Sequence, residues 1–261
     1  MTLALLGGLA ARARAETPDR PHEWNAEFRF STVYYPDADE TPGVGPVGYT
    51  AGGVPKSSSP FKAIYGSKHR LLSQLEVDRD LWQGFGSLAV GGSIGYAEFY
   101  GHGISAATLE QGGATSSFHV LPLKLLATYR FDPFVPQGVP IVPFVRGGLD
   151  WVVYWNAMQS GQISFLPPAS QADMPALGLT TGVEGTVGLA LVLDWIDPDL
   201  AHDIYDDLGI ARTSFVLAYT DQIIENGPGN VIHAIRTGGA APIPVIDLSA
   251  RYFEFGLDFA F

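Results

Sequence analysis

The chain has 261 residues, of which 46% are hydrophobic and 16% charged, against about 25% charged in ordinary soluble domains. Its net charge of −12 argues against a nucleic-acid partner, which needs a basic patch, and the absence of cysteine excludes thiolate catalysis, disulfides and cysteine-held metal. No run reaches the ~18 uninterrupted apolar residues of a spanning helix, so the hydrophobicity belongs either to a β-rich soluble core or to a transmembrane barrel, where apolar residues are spread in alternation.

The first residues, MTLALLGGLAARARAETP, hold a short apolar stretch followed by Ala13-Arg14-Ala15, a small-x-small cleavage pattern. Residues 1–15 therefore read as an export signal, 16–23 as a linker and 24–261 as one β domain.

Eight strands follow. In the first, WNAEFRFSTVYY, Trp24, Ala26, Phe28, Phe30, Thr32 and Tyr34 share one face and Asn25, Glu27, Arg29 and Ser31 the other. Residues 37–67, rich in Pro, Gly, Asp and Ser, read as a long irregular loop. LLSQLEVDR sets Leu71, Leu75 and Val77 against Gln74, Glu76 and Asp78, and a short link, DLWQGFG, leads to SLAVGGSIGYAEFY. There Leu88, Val90, Ile94 and Tyr96 oppose small residues that suit a narrow interior. GHGISAATLEQGGATSS reads as another loop.

FHVLPLKLLATYRF opposes Leu121, Leu123, Leu125 and Tyr129 to Lys124, Thr128 and Arg130, with a bulge expected at Pro122 because proline cannot join a ladder. After the short link DPFVPQGVP, the fifth strand sets Val145, Leu149, Trp151, Val153 and Trp155 against Arg146 and Asp150. A third loop precedes LGLTTGVEGTVGLALVLDW, whose Thr180, Glu184, Thr186 and Gly188 face inward. In IDPDLAHDIYDDLG, Asp197 before Pro198 is a helix start, Gly209 a stop, and Leu200, Ile204 and Leu208 form one apolar stripe: a short amphipathic helix. ARTSFVLAYTD, a fourth loop, and the alternating YFEFGLDFAF complete the chain.

Long connections follow strands one, three, five and seven, and short ones follow the others. An up-and-down barrel with both termini on one side requires that alternation, so the expected fold is an all-β, eight-stranded antiparallel transmembrane barrel with one short periplasmic helix. Placing the short turns in the periplasm collects Trp82, Phe85, Tyr129, Phe131, Phe134, Trp195, Phe259 and Phe261 at one rim. The other rim collects Tyr34, Tyr35, Tyr96, Phe99, Tyr100, Trp151 and Trp155, as two interfacial belts would.

The inward set brings both signs of charge together: Glu27, Arg29, Glu76, Lys124, Arg146, Asp150, Glu184, Arg212 and Glu254, with Asp78, Arg130 and Asp258 beside them. A packed ion-pair network filling a narrow lumen is the simpler reading; a gated ion path or small polar binding site is the sharper one. For catalysis, His119 lies near one rim with Ser116 and Ser117 in sequence, and His102 sits in a loop by Ser105. Neither reproduces the His-x-Ser spacing of the outer-membrane lipid A deacylases, so the expectation is a non-enzyme. The aspartates at 197, 199, 203, 206 and 207 lack the spacing of a calcium loop, and no phosphate loop, histidine metal pair or nucleophile elbow is present. No cofactor is expected.

The last strand resembles the C-terminal recognition strand of bacterial outer-membrane barrels, with Gly256, Phe259 and Phe261 on the matching positions. That resemblance implies that these three residues are a signal for the barrel assembly machinery. The segments WQGFGSLAVGGSIGY, VPIVPFVRGGLDW and LDWIDPDLAHDIYDDLGIARTSFVLAY resemble a family of myxobacterial outer-membrane β-barrel proteins of unassigned function. The resemblance implies the bacterial outer membrane as location and its lipids as partners, and it brings no substrate. The expected role is structural or interactional, through extracellular loops. The alternatives are a narrow channel for small solutes and a lipid A-modifying enzyme.

Overall fold

The computed structural model describes residues 22–35, 38, 47–105, 108–158, 165–166, 174–175, 177–225 and 246–261. The expected export signal, most of the linker and much of the third and fourth loops lie outside the described residues.

The described strands are β1 (Trp24–Val33), β2 (Val47–Ala51), β3 (Val54–Ser58), β4 (Arg70–Gly84), β5 (Gly86–Ile104), β6 (Gln111–Arg130), β7 (Ile141–Met158), β8 (Phe165–Leu166), β9 (Met174–Pro175), β10 (Leu177–Val192), β11 (Arg212–Ile223) and β12 (Ala250–Ala260). Eight of them close into a cylinder in the order β1-β12-β11-β10-β7-β6-β5-β4. Every neighbouring pair in it is antiparallel, and β1 pairs with β12 to shut the seam. The period-2 pattern dictates this arrangement. Each strand has one face of large exposed apolar side chains and one on which polar or small residues are frequent, and closure turns the second face inward.

At one end of the cylinder the links are tight: Phe85 between β4 and β5, residues 131–140 with a 3₁₀ turn at Val135–Gln137, and residues 193–211 with a helix. The other end, called the mouth here, carries the connections after β1, β5, β7 and β11. The expected alternation of ends is therefore present.

The helix is Pro198–Leu208, as its cap residues dictate. The Asp197 side chain accepts the Leu200 N–H at 3.1 Å, and Gly209 ends the helix with a left-handed φ of 72°. Its Leu200 and Leu208 stay exposed, because the helix turns Pro198 and Ala201 toward the tight end of the barrel instead.

Several sequence expectations need correction. Residues 37–67 are not wholly irregular: β2 and β3 form a hairpin, and Pro60–Tyr65 is a short helix. The stretch 101–117 is largely ladder, with Tyr100 opposite Ser117, Gly101 opposite Ser116 and His102 opposite Thr115. The link DLWQGFG is mostly the continuation of β4, with a register shift between Asp80 and Trp82. Pro122 causes no bulge. It pairs with Val152 on β7, and the β5–β6 register is the same on either side of it, from Ile94–Leu123 to Ala97–Val120. Tyr35 and Phe99, expected in the mouth-side belt, are buried inside the barrel.

The helix at Pro60–Tyr65 explains those last two residues. Phe61 and Tyr65, four apart and so on one face, pack with Tyr35, Phe99, Phe118, Leu72 and Val152 in an apolar cluster inside the mouth. Phe61 meets Phe118 edge-on at 5.3 Å and Phe99 at 5.7 Å. A Cβ at position 101 would fall 2.0 Å from the Ile64 carbonyl oxygen, so only glycine lets the helix backbone lie this close to β5. Burying each ring is worth about 2 kcal/mol, which offsets the ordering of so short a helix.

Candidate functional site

Below the apolar plug the lumen holds a charged network, built because β1, β4, β6, β7, β10 and β12 each aim alternate polar residues inward. Arg29, fully buried, is its centre. Its guanidinium reaches Glu76 at 2.7 Å, Glu254 at 3.0 Å and Glu27 at 3.7 Å, and donates to Ser93 Oγ at 3.2 Å. Arg146 reaches the same carboxylates from β7: Glu27 at 2.5 Å, Glu76 at 3.4 Å and Glu254 at 4.0 Å. Gln74 donates to the other Glu254 oxygen at 3.1 Å.

Nearer the plug, Lys124 Nζ donates to Glu184 at 2.5 Å and to the Tyr252 hydroxyl at 3.4 Å, while Gln222 donates to Asp150 at 2.8 Å. Toward the tight end, Arg130 grips both oxygens of Asp78, at 2.6 and 3.4 Å, and Asn25 donates to Asp78 at 2.8 Å. Charges buried this deeply persist only when paired and hydrogen-bonded. Apart from Arg29 with Glu27, the pairs join different strands, and Arg146 on β7 with Glu27 on β1 ties opposite sides of the cylinder.

Eight of the nine lumen residues singled out from the sequence thus lie in this network region. Arg212 stands apart. It sits at the tight end, 3.6 Å from Asp132, beside a cavity of 380 Å³ also lined by His22, Gln83, Val192 and Asp194. Among the C-terminal residues, Gly256 faces the lumen opposite Arg29, and Phe261 exchanges backbone hydrogen bonds with Trp24 at 2.7 and 3.2 Å.

The serine and histidine candidates divide between the two faces. Ser116 points inward, with its hydroxyl 3.2 Å from that of Tyr65, which also donates to Asn156 Oδ1 at 2.8 Å. Ser117 and His119 point outward, with Ser117 Oγ 2.9 Å from His119 Nε2 and the Tyr96 hydroxyl 2.6 Å from His119 Nδ1. The Tyr96 and Glu98 partners come from the neighbouring strand, where sequence spacing could not find them; the β5–β6 register was the missing information. Among the described residues no group of three or more His, Asp or Glu is arranged to hold a metal ion, and no helix is long and apolar enough to cross a membrane.

No protein-family model and no curated protein matches the sequence. Among solved structures, the attachment invasion locus protein Ail of Yersinia pestis aligns at 9% identity and a TM-score of 0.41, covering 93% of this chain and 100% of Ail. Neisserial surface protein A aligns at 8% and 0.41, covering 91% and 97%. OprG of Pseudomonas aeruginosa aligns at 11% and 0.41, covering 94% and 98%. At such scores the barrel assignment stands on the closed ladder of this chain.

Proposed function

We propose that the chain is an integral protein of the bacterial outer membrane, with a closed lumen and a structural or interaction role carried by its mouth-side segments. The observation that carries this reading is the inverted surface. Each barrel strand presents a large apolar side chain outward near its middle: Phe28, Leu75, Ile94, Leu125, Leu149, Val187, Leu217 and Phe255, all more than a third exposed. Charge is buried inside instead. In water that continuous band would far exceed the few hundred Å² of apolar patch that soluble monomers expose; against lipid tails it costs nothing. A soluble ligand-binding barrel would have the two faces exchanged.

Aromatic residues flank the band. Trp24, Trp82, Phe85, Phe134 and Phe261 are exposed at the tight end, and Tyr96, Tyr100 and Trp151 toward the mouth, where interfacial belts belong. Tight turns face the periplasm in such barrels and long connections the exterior, so on this reading the start of β1, the end of β12 and the Pro198–Leu208 helix lie on the periplasmic side. Gly256, Phe259 and Phe261 then form the signal for the assembly machinery, and outer-membrane lipids are the partners of the band. A myxobacterial origin is part of this proposal and adds no substrate to it.

Closure of the lumen favours this role over a solute channel. The apolar plug blocks the mouth, and the Arg29–Arg146 network fills the section below. Purified protein in planar bilayers is expected to pass no ion current. Steady conductance from the wild-type protein would replace the proposal with the channel reading.

A further inference from the structure

On the outer wall near the mouth, four side chains form a hydrogen-bonded chain that the lumen does not explain. Glu98 on β5 lies directly opposite His119 on β6, and Tyr96, Glu98, Ser117 and His119 all share the outward parity of their strands. His119 Nε2 is 2.9 Å from Ser117 Oγ, His119 Nδ1 is 2.6 Å from the Tyr96 hydroxyl, and that hydroxyl is 3.4 Å from Glu98 Oε2. Trp155 stacks on the imidazole, with ring centres 4.9 Å apart and an 8° angle between planes, which fixes the ring.

One proton arrangement runs through the whole chain in a single direction. Tyr96 donates to Glu98, His119 Nδ1–H donates to the Tyr96 oxygen, and Ser117 donates to His119 Nε2. In that tautomer the imidazole is ready to accept the serine proton, which is what a nucleophile needs from its base. Glu98 Oε1, 3.6 Å from Nε2, is placed to steady the imidazolium that results.

A second feature adjoins the first. An apolar groove of 270 Å³ opens on the outer wall, on the midplane side of the cluster, lined by Phe28, Phe30, Leu75, Ile94, Tyr96 and Leu121. Tyr96 belongs to both. An interfacial belt accounts for tyrosine and tryptophan at this height, but it does not require a serine hydroxyl held on an imidazole nitrogen beside a groove.

We propose that Ser117 and His119 are the nucleophile and general base of an acyl-ester hydrolase site that works on membrane lipid, with the groove holding the acyl chain and Tyr96 and Glu98 positioning the imidazole. The proposal rests on the reading that this wall faces lipid. Ester linkages lie where the hydrocarbon meets the head groups, and on that reading the exposed Tyr96, Tyr100 and Trp151 mark that level beside the cluster. Ser117 Oγ attacks the ester carbonyl while its proton passes to His119 Nε2. The tetrahedral intermediate collapses, the ester C–O bond breaks, and His119 returns the proton to the departing alkoxide. Water, deprotonated by His119, then attacks the acyl-serine carbonyl; the bond to Ser117 Oγ breaks, His119 returns the proton to that oxygen, and the fatty acid leaves.

The test uses the full chain folded in detergent micelles, with a long-chain p-nitrophenyl ester as substrate and a fluorophosphonate as covalent probe. The expected result is turnover, and labelling of Ser117 in the wild type. Ser117→Ala should abolish both, and His119→Ala should reduce turnover about 100-fold or more. Tyr96→Phe keeps the ring in the groove wall, so kcat should fall while KM holds. Leu121→Trp fills the groove, so it should raise KM for long chains and spare short ones. Wild-type protein that shows the folded gel band, yet neither turns over ester nor labels above the Ser117→Ala background, overturns the proposal. Insertion into phosphatidylglycerol-containing vesicles is scored separately, so failure of the membrane reading is distinguishable from failure of the site.

Discussion

Arg29 on β1 lies directly across the closing seam from Gly256 on β12, and a Cβ at 256 would fall 2.2 Å from the Phe28 carbonyl oxygen and 3.2 Å from the Arg29 Cα. The seam and the centre of the charged network therefore meet at one pair of residues. Gly256→Ala should force β1 and β12 apart at that point, lowering stability by about 1–3 kcal/mol, the usual cost of overpacking. Urea unfolding of protein refolded in detergent measures this, and an unchanged midpoint would count against the tight seam.

Removal of Phe261 separates assembly from stability. Its side chain is exposed, so removing the residue costs chiefly the backbone hydrogen bonds to Glu23 and Trp24. The truncated protein should refold in detergent nearly as well as the wild type but reach the outer membrane poorly in cells. Normal membrane levels would remove Phe261 from the assembly signal.

Lys124 on β6 and Glu184 on β10 are buried together inside the lumen, over the intervening β7. Lys124→Met leaves Glu184 without its cation, and breaking such a pair costs about 3–5 kcal/mol. Lys124→Met with Glu184→Gln should recover part of that loss, because the double variant leaves no uncompensated charge from the pair. A double-mutant cycle on unfolding midpoints reads the coupling, and strict additivity would show that the two groups act independently.

On the proposed reading the plug and the network close the lumen in series. Phe61→Ala with Tyr65→Ala should loosen the mouth without opening a path, since Arg29 and Arg146 still fill the section beneath. Single-channel recording should stay silent for this variant.

Asp197 caps the helix on the tight end. Asp197→Ala should destabilise that helix by about 1 kcal/mol and speed hydrogen exchange over residues 198–208, leaving the barrel strands protected. Faster exchange throughout the barrel would mean that the helix braces it.

The strand faces were legible in the sequence because a closed barrel keeps side chains in strict alternation. Glu27, Arg29 and Glu254 are inward for the same reason that Phe28 and Phe255 are outward. The helix cap at Asp197 and Gly209 was equally local. The plug was not legible. Phe61 and Tyr65 sit in a segment dominated by Pro, Gly and Ser, and a six-residue helix carries too little periodicity to announce itself; its stability comes from Phe99 and Phe118 on distant strands. The outer-wall cluster was hidden similarly. Ser117 and His119 are two apart in sequence, but Tyr96 and Glu98 join them only through the β5–β6 register. Arg212 shows the converse: its parity was right, but its height on the barrel put it beside Asp132 rather than in the network.

The apolar outside of this cylinder is proposed to meet lipid in the outer membrane. Gel migration of the protein from a purified outer-membrane fraction, with and without boiling, tests it most directly. Recovery in that fraction, with a shift from a compact unboiled band to a slower boiled one, is expected. Recovery in the soluble fraction with no shift would contradict it.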